Sequence, residues 1–197
     1  MDTKFSGCLE EEFATVILIA NSDCRTRGLD SLLLAWTKYE KQLRKLFCFL
    51  VYQHPDIGTS EIGDVVEALA QNRWLYPRTF IAAVEALGVG SIQSLIGTDY
   101  EELATQLERI QKYRNKLVHG QVTGLGLATE DLLEDVNHIA AWMTALASGA
   151  QRKFGYDGLR RDSFVQAKGT DIIAVAKYPF ASASEFKAWL TEVSKPK

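Results

Sequence analysis

From Asp30 to Gln53, the apolar residues Leu32, Trp36, Tyr39, Leu43, Leu46 and Leu50 recur at alternating steps of four and three, with Lys38, Lys41, Arg44 and Lys45 between them. A 3.6-residue period of this kind predicts a long amphipathic helix, ended by Pro55 and Gly58. Leu33, Phe47 and Val51 form a second apolar stripe beside the first, which asks for a second burial partner: a core, a subunit interface or the C-terminal segment. Shorter helical patterns follow at Glu61 to Gln71 and at Arg78 to Leu87, the latter entered through Pro77 and closed by Gly88.

Thr98-Asp99-Tyr100-Glu101 has the spacing of a capping box. It opens a helix with Tyr100, Leu103, Leu107, Ile110 and Leu117 on one face, running to His119, where Gly120 suits a left-handed cap. After Gly124 and Gly126, a last long helix is expected from Thr129 to Ala147, with Leu132, Val136, Ile139, Met143 and Leu146 as its apolar face. Beyond Gly149 the texture changes. Phe164 to Ala167 and Ile172 to Val175 read as short strands joined through Gly169-Thr170, and Ser182-Ala183-Ser184-Glu185 reads as a second capping box before a helix carrying Phe186, Trp189, Leu190 and Val193. The expected fold is mainly α: an antiparallel helical bundle with a small C-terminal β-hairpin and helix appended. The organisation is an N-terminal segment over residues 1–27, a bundle over 28–150 and a C-terminal module over 151–197.

The chain has 197 residues, 47% of them hydrophobic, enough for a full core in one domain or one domain plus an appendage. Its net charge of −3 supplies no overall field for a polyanion, so contact with nucleic acid would need a local basic patch. Cys8, Cys24 and Cys48 fit neither a disulfide framework nor a zinc site. The apolar run from Phe13 to Ala20 follows Glu10 to Glu12, where a signal peptide would be basic, and no run reaches the roughly 20 residues of a membrane span. These features point to a cytoplasmic protein without metal or cofactor.

One residue breaks the apolar seam of the helix ending at His119. Its steps 100, 103, 107 and 110 continue to 114 and 117, and position 114 is an arginine. A partly buried guanidinium needs a partner, and Glu134 or Asp135 on the following helix would supply a structural ion pair. Asn115 and His119, four residues apart, share the neighbouring ridge. Arg109, Lys112, Arg114 and Lys116 form a basic stretch without an acidic residue in a net-negative chain, a local site for an anion.

The string Arg114-Asn115-Lys116-Leu117-Val118-His119-Gly120 resembles the motif of HEPN domains, helical bundles that carry an arginine, four to six intervening residues and a histidine. The resemblance spans Asp30 to Gly149 and takes in the polar residue after the arginine. It implies a metal-independent endoribonuclease of the toxin or antiviral-defence type, cutting RNA through its own 2′-hydroxyl, with an antitoxin or inhibitor protein as partner. Arginine cannot act as a base, so Arg114 is cast as phosphate clamp and transition-state stabiliser. Histidine exchanges protons near neutral pH, which casts His119 as proton carrier, with Asn115 orienting it and Lys112, Lys116 and Arg109 holding RNA. One histidine does not easily serve both proton transfers, and five helical residues set Arg114 and His119 roughly 140° apart around the axis; a homodimer facing two helix ends across a two-fold axis answers both difficulties. The alternative is a noncatalytic HEPN-like module that binds nucleotide, RNA or protein.

Other residues carry blander expectations. His138, beside Asp131 and Asp135, reads as solvated, and His54 as a partner of terminal carbonyls. Arg152, Lys153, Arg160 and Arg161 read as a solvated basic linker. Trp36, Trp142 and Trp189 fall in amphipathic patterns and read as core. Trp74, beside Tyr76 and Pro77 in a connector, has no such pattern.

Overall fold

The computed structural model describes residues 8–121, 124–159, 162–164 and 169–195. Among these it is mainly helical: α1 (Cys8–Ala20), α2 (Arg27–Tyr52), a 3-10 turn (Thr59–Glu61), α3 (Ile62–Gln71), α4 (Pro77–Ala86), α5 (Ile92–Ile96), α6 (Tyr100–Val118), α7 (Thr129–Phe154), α8 (Thr170–Val175) and α9 (Ala183–Ser194). None of these helices is long and apolar enough to cross a membrane. The chain forms two compact units, one from residues 1–41 and 96–146, the other from 42–95 and 147–197. Each is discontinuous in sequence, and α2 and α7 contribute one part to each.

In the first unit, Leu32, Ala35, Trp36 and Tyr39 of α2 are buried, as are Leu107, Ile110 and Tyr113 of α6 and Leu132, Val136, Ile139 and Met143 of α7. Full burial of such a side chain stabilises by roughly 1.5–3 kcal/mol, so each stripe outweighs the modest propensities of its helix. The ring of Trp142 meets both Tyr39 (6.2 Å) and Tyr100 (5.6 Å). On α1, Glu12 lies 3.1 Å from Lys38 and 2.8 Å from Lys41. Burial alone would raise this carboxyl, but the two lysines hold it below the ordinary range.

In the second unit, Phe47 packs against Phe80, Phe186 and Trp189. The second stripe of α2 is thus covered at Phe47 by the chain's own α4 and α9, and Val51 is also buried. Tyr178 donates from its hydroxyl to the Leu50 carbonyl (2.9 Å). His54 is buried: its Nδ1 accepts from the Asp56 amide (3.0 Å) and its ring lies against Tyr178 and Phe180. Gly149 sits inside α7, not at its end, because this position faces backbone: a Cβ here would lie 1.9 Å from the Leu95 carbonyl oxygen.

The predicted C-terminal β-hairpin is not formed. No strand occurs among the described residues; Ile172 to Val175 lie in α8, Phe164 is in a bend, and the remainder of the first expected strand, with Arg160 and Arg161, lies outside the described residues. A run of four apolar residues fits a helix or a strand equally, and an isolated two-stranded hairpin is marginal. Here Gly169, extended and donating to Gln53 Oε1 (2.7 Å), starts a helical turn that buries Ile172.

The two predicted capping boxes also differ from expectation. At Asp99 the backbone is already helical (φ −84°, ψ −1°), the Thr98 hydroxyl donates to the Asp99 carboxylate (3.0 Å), and no side chain caps α6. At α9, Ser182 Oγ accepts from the Glu185 amide (3.3 Å), while the Glu185 carboxylate reaches one residue further back, to the Ala181 amide (2.7 Å).

Candidate functional site

The end of α6 is closed by a Schellman arrangement. Gly120 has φ +65°, its amide donates to the Leu117 carbonyl (3.1 Å), and the Gln121 amide donates to the Lys116 carbonyl (2.8 Å). Both bonds satisfy carbonyls that a helix end leaves unpaired, and only glycine adopts this φ without strain. His119 is therefore fixed as the last residue before the reversal, with its amide donating to the Asn115 carbonyl (3.3 Å) and its side chain exposed.

Arg114 is turned toward α2. Its guanidinium lies 5.6 Å from the centre of the Trp36 ring and its Nη2 3.8 Å from Glu40 Oε1. The same carboxylate oxygen accepts from Trp36 Nε1 at 2.7 Å. One buried indole thus supports the cation with its face and the anion with its N–H. At 3.8 Å the Arg114–Glu40 contact is an ion pair without a hydrogen bond. Nη1 donates to Asn115 Oδ1 (3.1 Å), and Nε is buried without a hydrogen-bond partner among the described residues.

The carboxylate partner of Arg114 is Glu40 of α2, not Glu134 or Asp135 of α7. Asp135 is instead bonded to Arg109, with His138 Nδ1 3.6 Å away. Its side chain is only 1% exposed. Burial raises this carboxyl above the ordinary range, and Arg109 and then His138 oppose the shift. His138 is half-buried against this acid, not solvated, and Arg109 serves an internal ion pair. Lys112 and Lys116 are exposed.

The structure therefore brings together Arg114, Asn115, Glu40 and Trp36. No hydrogen bond joins Arg114 and His119 among the described residues: the Arg114 guanidinium, half-buried, is turned toward Trp36 and Glu40, and His119 is exposed and makes no side-chain hydrogen bond among the described residues. The sequence pattern marks Trp36 only as core and does not single out Glu40, although their i, i+4 spacing on a long amphipathic helix is a usable sign. No cluster of three or more His, Cys, Asp or Glu suited to a metal ion occurs among the described residues. Comparison with protein-family models, curated proteins and solved structures gives no match to this chain.

Proposed function

We propose that the chain is a metal-independent endoribonuclease of HEPN type, acting as a homodimer in the cytoplasm. The observation that carries this reading is the end of α6: an exposed histidine fixed by a glycine cap, within about one and a half turns of an arginine seated on Trp36 with N–H groups uncommitted. In the reaction, one His119 removes the 2′-hydroxyl proton of RNA, and the 2′-oxygen attacks the adjacent phosphorus. The bond to the 5′-oxygen breaks, and that oxygen takes a proton from the second copy's His119. The products are a 2′,3′-cyclic phosphate and a 5′-hydroxyl. Arg114 offers its fork to the phosphoryl oxygens as charge builds there, held in place by Asn115 Oδ1 and the Trp36 face. Lys112 and Lys116 add positive charge along the strand; Arg109, bonded to Asp135, contributes mainly to folding. A toxin or phage-defence role, with an antitoxin or inhibitor as partner, follows from the same reading.

The test is cleavage of mixed RNA, with a chelator present, by the wild type, His119→Ala and Arg114→Ala. Loss in both variants supports the proposal, and equal cleavage by all three assigns the activity to a contaminant. Sedimentation should give a dimer. The Arg114–Glu40 pair favours a second reading, a noncatalytic module in which Arg114 is a brace or an anion anchor; RNA retained without turnover would select it.

A further inference from the structure

The second unit carries a feature that this chemistry does not use. Trp74 is 49% exposed, the most exposed of the four tryptophans, and Tyr76 beside it, with ring centres 6.5 Å apart, is 45% exposed. Large aromatic rings are costly to leave in water, and Trp74 is not a loose end of a connector. Its amide donates to Asn72 Oδ1 (2.9 Å), and its carbonyl accepts from the Thr79 hydroxyl (2.8 Å) and the Tyr76 amide (3.1 Å). Asn72 is tied in turn to α9, donating to the buried Ser194 Oγ (2.9 Å). The backbone under the indole is thus held at both ends while its ring faces solvent.

Trp74 borders a shallow pocket of about 270 Å³ between the end of α3 and α9. Arg73 and Lys187 also line it, and no carboxylate does. Neither cation takes part in an ion pair among the described residues; Lys187 donates only to Gln71 Oε1 (2.9 Å). In a chain with net charge −3, two unneutralised cations beside a preorganised exposed indole call for a ligand with a flat π face and an anion a few ångströms away. Asn72 and Gln71 add amide groups at the edge.

We infer that this pocket binds a nucleotide unit, the base stacking on Trp74 and the phosphate held between Arg73 and Lys187, as one step of a single-stranded nucleic acid or as a free nucleotide. Stacking platforms joined to basic grooves bind single strands with little sequence preference. The open, shallow shape suits a ligand that enters and leaves sideways, not one that is engulfed. The inference stands on the second unit alone and does not depend on the role of Arg114.

The test uses the full chain and a fluorescein-labelled eight-residue 2′-O-methyl RNA, which resists 2′-hydroxyl chemistry. Anisotropy should report saturable binding, weakened roughly 5- to 150-fold in Trp74→Ala and largely retained in Trp74→Phe, which keeps a π face. Arg73→Ala and Lys187→Ala should each lower the salt slope by about 0.7. A parallel titration with AMP, followed by tryptophan quenching, separates the sources: comparable affinity for AMP identifies a free nucleotide, and much tighter oligomer binding a strand. Absence of binding by both ligands overturns the inference. So does binding that Trp74→Ala and the Arg73→Ala/Lys187→Ala double variant leave unchanged but Arg114→Ala removes, a result that would leave the ribonuclease proposal standing. Trp74-dependent binding by a protein that never cleaves RNA would do the reverse.

Discussion

Arg114→Ala separates a reagent from a brace, because the structure limits what a brace could contribute. At 3.8 Å and an effective dielectric constant of 20, Coulomb's law gives about 4 kcal/mol as an upper bound. The Arg114 side chain is 24% exposed and that of Glu40 35%, and ion pairs open to solvent measure roughly 0.2–1 kcal/mol. The cation–π contact with Trp36 adds about 0.5–1 kcal/mol, and removing the buried, unpartnered Nε returns part of its desolvation cost. The variant should therefore lose about 1–2 kcal/mol in urea unfolding and remain folded, since domains have roughly 5–15 kcal/mol to lose. Single-turnover RNA cleavage should fall by at least about 100-fold, the scale seen when a transition-state charge donor is removed. Glu40→Gln keeps an acceptor for Trp36 and deletes the charge, so stability should change by under about 1 kcal/mol and affinity for the RNA phosphate should rise a few-fold. The reasoning is refuted if Arg114→Ala costs more than about 4 kcal/mol with strong coupling to Glu40, the signature of a broken buried pair, or if the folded variant cleaves as fast as the wild type.

Gly149→Ala would gain up to about 1 kcal/mol of helix propensity, but its Cβ meets Leu95 backbone at 1.9 Å, so overpacking should win and stability should fall by about 1–3 kcal/mol; Ser148→Ala, an exposed neighbour, should not destabilise, and urea titration compares the two. Gly120→Ala forces a side chain onto φ +65° and should cost about 1–2 kcal/mol, with reduced cleavage as His119 loses its fixed position; unchanged stability and rate would show that the cap is dispensable. Asp135 binds its proton more tightly folded than unfolded, so its contribution to stability is greatest below the ordinary carboxylate value of about 4 and is lost as pH rises through its raised folded value. Asp135→Asn should remove that decline, and a pH series of unfolding midpoints that keeps the same slope in the variant would assign it to other groups.

The long helices were legible because their period is sustained: Leu32, Trp36, Tyr39, Leu43, Leu46 and Leu50 of α2 are all buried, as are Leu132, Val136, Ile139, Met143 and Leu146 of α7. Short segments were not. Four apolar residues at Ile172 to Val175 carry no period, so tertiary cover decided for helix. At Thr98 the spacing of a capping box was present, yet the hydroxyl found a neighbouring carboxylate first. Gly149 looked like punctuation because a glycine that ends a helix and one that admits another backbone leave the same letter. Within the site, the break in the apolar seam located Arg114 and the glycine located the end of α6. Which carboxylate would meet Arg114 depended on which helix lies across from it, and that is a tertiary fact outside any local pattern.

The two compact units impose a limit on how this gene can be cut. Each is assembled from two separate stretches of chain, and the changeovers at 41/42, 95/96 and 146/147 fall inside α2, α5 and α7. A shortened protein ending near residue 150 would keep the whole Arg114 to His119 segment but strip Phe186 and Trp189 from Phe47, and Tyr178 from Leu50. It would expose the second half of α2 to water, so insolubility of such a fragment would say nothing about the chemistry proposed for the end of α6.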